Sequence, residues 1–202
     1  RAADLGEGAW LALLTAAASS TEDLAVVAAA LHPLGLGTDD LERAESAGLV
    51  AVEGGAIRFR HPLVRSAIYH RAAGADRRRV HAALGTADPH VERAAWHLAA
   101  AAVHADDGAA RALEEAAEAA RTRADFVTSA KAYRRAAQLS QHEAERLRRL
   151  TAAADVAWLG GDTSLALQLI DQALLGRPDE QGRGGLLHTR GTIEHFIGEA
   201  RR

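Results

Sequence analysis

Cysteine is absent from the 202 residues, which excludes disulfides, zinc–thiolate centres and thiol catalysis and gives no reason to place the chain in an oxidising compartment. Methionine is absent too. The chain opens on Arg1, too bulky for routine removal of an initiator methionine, so it is expected to be a piece of a longer protein. Aromatic residues make up only 4%, and Lys131 is the single lysine, so arginine carries nearly all the positive charge. No apolar run approaches the roughly 20 residues of a membrane span, and no charged-then-apolar export signal opens the chain. The expectation is a cytoplasmic protein with no membrane partner. At a net charge of -3, no block is basic enough to hold nucleic acid by phosphate neutralisation alone.

Catalytic signatures are missing as well. The chain has no Gly-x-x-x-x-Gly-Lys-Ser/Thr phosphate loop, no Gly-x-Ser-x-Gly elbow and no His-Glu-x-x-His pair. Of the 10 histidines, His90 and His97 share a helical face, as more loosely do His97 and His104. Solvated or core-edge positions account for them better than metal ligation. Glu114 and Glu115 belong on a solvated helical face. The chain is therefore expected to be no enzyme and to hold neither metal nor cofactor of its own.

What the chain does have is alanine, about a quarter of all residues, as close-packed helix pairs require. "EGAWLALLTAAASS" puts Trp10, Leu11, Leu13 and Leu14 on one broad helical face. "STEDLAVVAAALHPLG" opens with Thr21 as N-cap and stops at Pro33 and Gly35; "GTDDLERAESAGL" opens at Thr38 and closes at Gly48. Leu49–Glu53 and Ala56–Arg60 then flank Gly54-Gly55, a two-residue turn open to positive φ. Three helices and a hairpin predict a winged-helix subdomain with linker helices over 1–86.

The linker stretch holds "GADRRRVHAALGTA", a short helix opened by Gly74 and Asp76 and ended by Gly85, with Arg77 to Arg79 on its wet face. "DPHVERAAWHLAAAAV" follows, capped by Asp88 with Pro89 first in the helix.

Residues 87–202 read as a repeat. "AKAYRRAAQL" and "ALQLIDQALL" superpose at a spacing of 36, matching Ala130 to Ala166, Ala137 to Ala173 and Leu139 to Leu175. A further helix precedes each. "GLLHTRGTIEHFIGEA" begins a third copy, truncated, with Ile197-Gly198 answering Leu159-Gly160. Helix pairs at a period in the mid-thirties predict a tetratricopeptide-like antiparallel array. The fold class is thus mostly α: a winged-helix subdomain followed by helical repeats. Such arrays present a concave surface to an inducer or protein partner. Tyr133, Trp158 and Trp96 are candidates to line it, although aromatics at helical spacing also serve as core.

"RFRHPLVRSAIYH" is the most pointed stretch. His61 stands directly before Pro62, at the opening of a helix and beside Arg60 and Arg65. The free N–H groups and positive macrodipole end there suit an anion; a plain helix cap suits the same position. DNA reading by the preceding helix is disfavoured, because Asp39, Asp40, Glu42 and Glu45 face a single Arg43.

The order of a winged helix, "FRHPLVRSAIYH", "DRRRVHAALG", "ERAAWHLAAA", "ALEEAAEAARTR" and "AWLGGDTSLALQLIDQAL" resembles the large ATP-dependent LuxR-family transcriptional regulators, MalT-like proteins of the STAND class. The resemblance covers nearly the whole chain, and "FRHPLVRSAIYH" and "AAWHLAAAA" are its most specific parts. It implies an intramolecular ATPase module before this segment, so ATP and ADP belong to the full-length protein. It implies DNA contact only through a C-terminal helix-turn-helix outside the chain. By resemblance to the Met-His-Asp segment of related switch ATPases, His61 takes the place of a histidine that approaches the β-phosphate of ADP, with Arg60 and Arg65 adding charge. Pro62 stands where the aspartate would be, so no carboxylate is available there. The other reading open to the sequence is a helical-repeat scaffold that holds a protein partner without any nucleotide link.

Overall fold

The computed structural model describes residues 5–200, a mostly helical chain with one two-stranded sheet. Contacts divide it into two units, Arg1–Ala102 and Val103–Arg202. The division falls one helix later than the 86/87 boundary read from the sequence.

In the first unit, α1 (Glu7–Ala18) is apolar on every side, and all positions from Leu11 to Ala17 are buried. A helix without a polar stripe is stable only when surrounded. Accordingly α2 (Leu24–Leu31), α3 (Thr38–Ser46), α4 (Pro62–Arg71) and α5 (Gly74–Ala87) all pack on it. Leu13 and Leu14 meet Leu31, Leu41, Val50, Ile57, Ile68 and Val80 in one core. The cap of α2 is Asp23, not Thr21: its carboxylate accepts from the Ala25 N–H at 2.8 Å. Thr21 Oγ1 accepts instead from the Asp23 N–H at 3.2 Å, forming the turn that leads into the cap.

The exit from α3 follows the glycine. Gly48 has φ +72, and the Leu49 N–H reaches back to the Ala44 carbonyl at 3.2 Å, a left-handed C-terminal close. Strands β1 (Val50–Glu53) and β2 (Ala56–Phe59) pair antiparallel, Val50 opposite Phe59 and Val52 opposite Ile57. Gly54 and Gly55 lie at φ +58 and +79, the conformation that a two-residue turn demands. The outer edge of β2 is closed by the segment before α2. Leu24 N–H donates to the Gly55 carbonyl at 2.9 Å, and Ile57 N–H to the Glu22 carbonyl at 2.7 Å.

Gly85 does not end α5; the helix continues to Ala87. The glycine instead faces α6 (Val91–Ala101), where an added Cβ would lie 2.7 Å from Leu98 Cδ2 and 3.0 Å from its backbone N. This close approach is why α6 belongs with the first unit. Nor does Pro89 open α6, which starts at Val91. Asp88 holds the turn before it, accepting from the His90 N–H at 2.8 Å and from Arg93 at 2.8 and 2.9 Å.

The second unit comprises α7 (Asp107–Thr122), α8 (Phe126–Leu139), α9 (Glu143–Leu159), α10 (Thr163–Leu175) and α11 (Glu180–Ala200). Each packs on the next through a short connection, which makes neighbours antiparallel. The pair α7–α8 repeats as α9–α10, at a spacing one residue longer than the sequence comparison suggested. Ala124 and Gly161, at φ 60 and 80, turn the chain. Asp125 and Asp162 then cap α8 and α10, accepting from the Thr128 and Leu165 N–H groups at 3.1 and 2.9 Å. In this register buried residues coincide: Leu113 with Leu150, Ala116 with Ala153, Ala120 with Ala157, Tyr133 with Ile170 and Ala136 with Ala173. α11 runs helically through Gly198, so that glycine does not answer Gly160, which ends α9. Among the described residues no helix is long and apolar enough to cross a membrane.

The α5–α6 crossing yields a test. Gly85→Ala gains about 1 kcal/mol of helix propensity but loses roughly 1–3 kcal/mol to overpacking. A net destabilisation on the order of 1 kcal/mol is expected, read as a lower urea midpoint at unchanged m-value. A raised midpoint would show that the crossing is not tight.

Candidate functional site

The β1–β2 hairpin delivers His61 to the start of α4. Arg60 N–H still donates to the Leu49 carbonyl at 3.2 Å, His61 is extended at φ -149 and ψ 137, and Pro62 takes the first helical position, where no N–H is missed. His61 Nδ1 accepts from the Leu63 N–H at 3.1 Å. The imidazole is thus the helix cap. With Nδ1 engaged as acceptor, the neutral ring carries its proton on Nε2, which the exposed side chain presents outward.

Arg65 is committed elsewhere. Its Nε donates to the Ala17 carbonyl at 3.0 Å, and its Nη2 donates to the Ser19 carbonyl. The guanidinium therefore closes the C-terminal end of α1 and ties α4 to it. Arg65 also lines a cavity of about 140 Å³ with Ile57, Phe59 and Pro62, a cavity that neither His61 nor Arg60 enters. Arg60 is exposed and lies over the Gly48 turn, its Cζ 3.7 Å from where a Cβ on that glycine would stand. His61 and Arg60 are both exposed, whereas Arg65 is bound to the backbone at the end of α1.

A second constellation lies between α4, α5 and α6. His81 and His97, 8% and 5% exposed, meet Nδ1 to Nδ1 at 2.9 Å, and the Tyr69 hydroxyl meets His81 Nε2 at 2.7 Å. His97 is thus buried and bonded, not a solvated or core-edge histidine. Each contact needs one proton between two lone-pair atoms, so the chain is complete with both rings neutral. Arg77 stands 5.6 Å over the Tyr69 ring. Burial lowers His81 to about 4, with His97 and Arg77 adding to the effect. Burial also lowers His97; Asp88 opposes that shift and Arg93 assists it. The two imidazoles line a cavity of about 370 Å³ with Ser20, His90, Arg93 and Trp96. Among the described residues no group of three or more His, Asp or Glu could hold a metal ion. Sequence reading missed this cluster because Tyr69, His81 and His97 come from three helices and form no spacing motif.

The aromatic candidates separate. Trp96 lies in the first unit, and Tyr133 and Trp158 in the second. Tyr133 is 7% exposed and donates to Glu118 Oε2 at 3.0 Å; burial, then Glu118, pushes its hydroxyl up to about 12. Trp158 is partly buried and meets Phe196 edge to face at 5.5 Å. Glu114, expected on a solvated face, is instead a tie between α7 and α9. It accepts from Arg148 Nη2 and from the buried Arg149 Nε, both at 2.9 Å. The Arg148 bonds, with Arg149 assisting against burial, hold its carboxyl below the usual range.

Two outcomes follow from this geometry. Arg65→Ala removes the bonds to the Ala17 and Ser19 carbonyls and should cost roughly 1–3 kcal/mol by denaturant unfolding; undiminished stability would deny the tether. The histidine pair is neutral when folded, so its contribution is whole above pH 6.5, the unfolded value, and is lost as pH falls toward 4. The thermal midpoint should drop by several degrees over that window. In a His81→Gln/His97→Gln variant the drop should be smaller, and an equal drop would place the acid sensitivity elsewhere.

Comparison with protein-family models, with curated proteins and with solved structures finds no match to this chain.

Proposed function

We propose that the chain is the regulatory part of an ATP-dependent LuxR-type transcriptional regulator, coupling the nucleotide state of an ATPase module to a partner-binding helical array. The observation that carries this reading is the wing-to-helix junction, where His61 caps α4 through Nδ1 and keeps Nε2–H available to an anion. The first unit has the elements of a winged helix: three helices and a hairpin whose outer edge is closed by the segment between α1 and α2. A docking face for a neighbouring module is available beside it. Leu63 is 71% exposed, and a cavity of about 570 Å³ lies between Trp10, Leu49, Val64 and Ile68, with Glu7 and Arg71 also lining it. The paired helices of the second unit suit a tetratricopeptide-like sensor. In this scheme inducer or partner binding shifts a closed, ADP-holding form toward an open one. Arg65 serves the scheme as a tether between α4 and α1, with Arg60 and His61 left to face the phosphate.

The full-length protein tests this. His61→Ala removes both cap and imidazole, whereas His61→Asn keeps a capping side chain. Both should weaken ADP retention about tenfold and raise basal promoter activity. Unchanged ADP affinity in both would refute the switch and leave the helical-repeat scaffold. Loss in His61→Ala alone would reduce His61 to a cap.

A further inference from the structure

The two helix pairs of the second unit share buried residues such as Leu113 with Leu150 and Ala116 with Ala153, and differ at a polar position that bears a carboxylate in both. Glu118 on α7 corresponds to Asp155 on α9 in the register set by the caps of α8 and α10. Glu118 has two partners: Arg121 Nε at 2.9 Å and the Tyr133 hydroxyl at 3.0 Å. The residues that correspond to Arg121 and Tyr133 in the second pair are Trp158 and Ile170. Neither answers a carboxylate. Asp155 accordingly makes no hydrogen bond or ion pair among the described residues, and desolvation by its surroundings raises its carboxyl above the ordinary value. It nevertheless stays open to solvent, so a partner group has access.

Beside this carboxylate lies an uncovered apolar surface. Trp158 and Leu159 stand three and four residues on from Asp155, on the same side of α9. Trp158 meets the edge of Phe196 from α11, and Leu159 and Phe196 are 60% and 59% exposed. Arg190 of α11 does not serve the acid, since Asp171 and Glu194 hold it at 2.5 and 2.8 Å.

We propose that Asp155, Trp158 and Phe196 form a docking surface for an arginine-bearing segment of a partner protein. A carboxylate one helical turn from an indole is complementary to a guanidinium, which pairs with the acid through its N–H fork and lays its plane on an aromatic face. Lysine suits the site less well, because its compact ammonium is strongly hydrated and offers no plane to stack. The flanking Leu159 and Phe196 receive apolar neighbours of that arginine. Docking returns to Asp155 the cation that Arg121 supplies to Glu118. The proposal rests on the partner-binding reading of the second unit and names the chemistry of that partner.

The test uses the whole 202-residue chain on an array of random nonapeptides, with fluorescence polarisation on the strongest binders. Arginine-containing peptides should dominate, and replacing their arginine by citrulline should weaken them at least tenfold. Asp155→Asn, an exposed and nearly isosteric change, should cost a similar factor, and Phe196→Ala should weaken the same peptides. Asp155→Lys should turn the preference toward acidic peptides. Binders that lack basic residues, or arginine peptides indifferent to Asp155→Asn, would overturn the proposal while leaving the unit a partner-binding array. No binding by any peptide would overturn both.

Discussion

How closely two helices approach is set by what stands at their crossing, and in this chain it is alanine or glycine nearly everywhere. Ala116, Ala117, Ala120, Ala132, Ala136, Ala153, Ala154, Ala157 and Ala173 are all at most 2% exposed. At Gly85 not even a methyl fits. Close approach has a cost in driving force, because a buried methyl contributes about 0.8 kcal/mol where a buried leucine contributes roughly 1.5–3. Larger side chains such as Leu113, Leu150, Leu169 and Ile170 supply the bulk of the core at wider points. Polar ties then fix the geometry that small residues permit but do not specify. Arg65 on the end of α1 and Arg149 with Glu114 join helices that do not follow one another in the chain, and His81 with His97 joins two that do. Each is buried or half-buried, where an unmade bond costs more than a made one gains.

The same alanines explain what could be read from the sequence. Where a residue's chemistry dictates a local conformation, reading succeeded: Gly54-Gly55 as the hairpin turn, Gly48 as the close of α3, Pro62 at the head of α4. Where alanine carried the signal, position slipped. Ala136 and Ala137 are both buried, so either matches Ala173 in a comparison of letters. Only the caps at Asp125 and Asp162, and the left-handed turns before them, choose between the two registers. A glycine that ends a helix and one that lets a neighbour approach look alike in a sequence, and Gly85 is of the second kind. Thr21 and Asp23 are both good caps, and the edge of β2 decided between them by pairing with Glu22 and Leu24.

Of the candidate site, the part built from contiguous residues was legible and the part built from distant ones was not. His61 at a helix opening could be read from His-Pro alone. That Arg65 reaches back to Ala17 and Ser19 could not, since nothing in an i, i+4 spacing from His61 reveals a bond to another helix. The His81–His97 contact was invisible for the same reason. It needs α5 and α6 packed tightly, and the tightness comes from Gly85, whose role was itself misread.

A repeated structure separates what packing requires from what a site requires. Between α7–α8 and α9–α10 several buried positions are kept, Leu113 with Leu150, Ala116 with Ala153 and Ala136 with Ala173, although Ala132 answers the larger Leu169, because each pair must bury the next. Polar positions carry no such constraint. Where they differ, as Glu118 with Arg121 and Tyr133 differs from Asp155 with Trp158 and Ile170, the difference is not a need of the fold. One pair closes its carboxylate internally; the other leaves its carboxylate beside a half-buried indole and an exposed phenylalanine. A desolvated acid without a partner is a standing cost to the isolated chain, and a cation brought by another molecule offsets it. That asymmetry, and not any single side chain, distinguishes the second pair from the first.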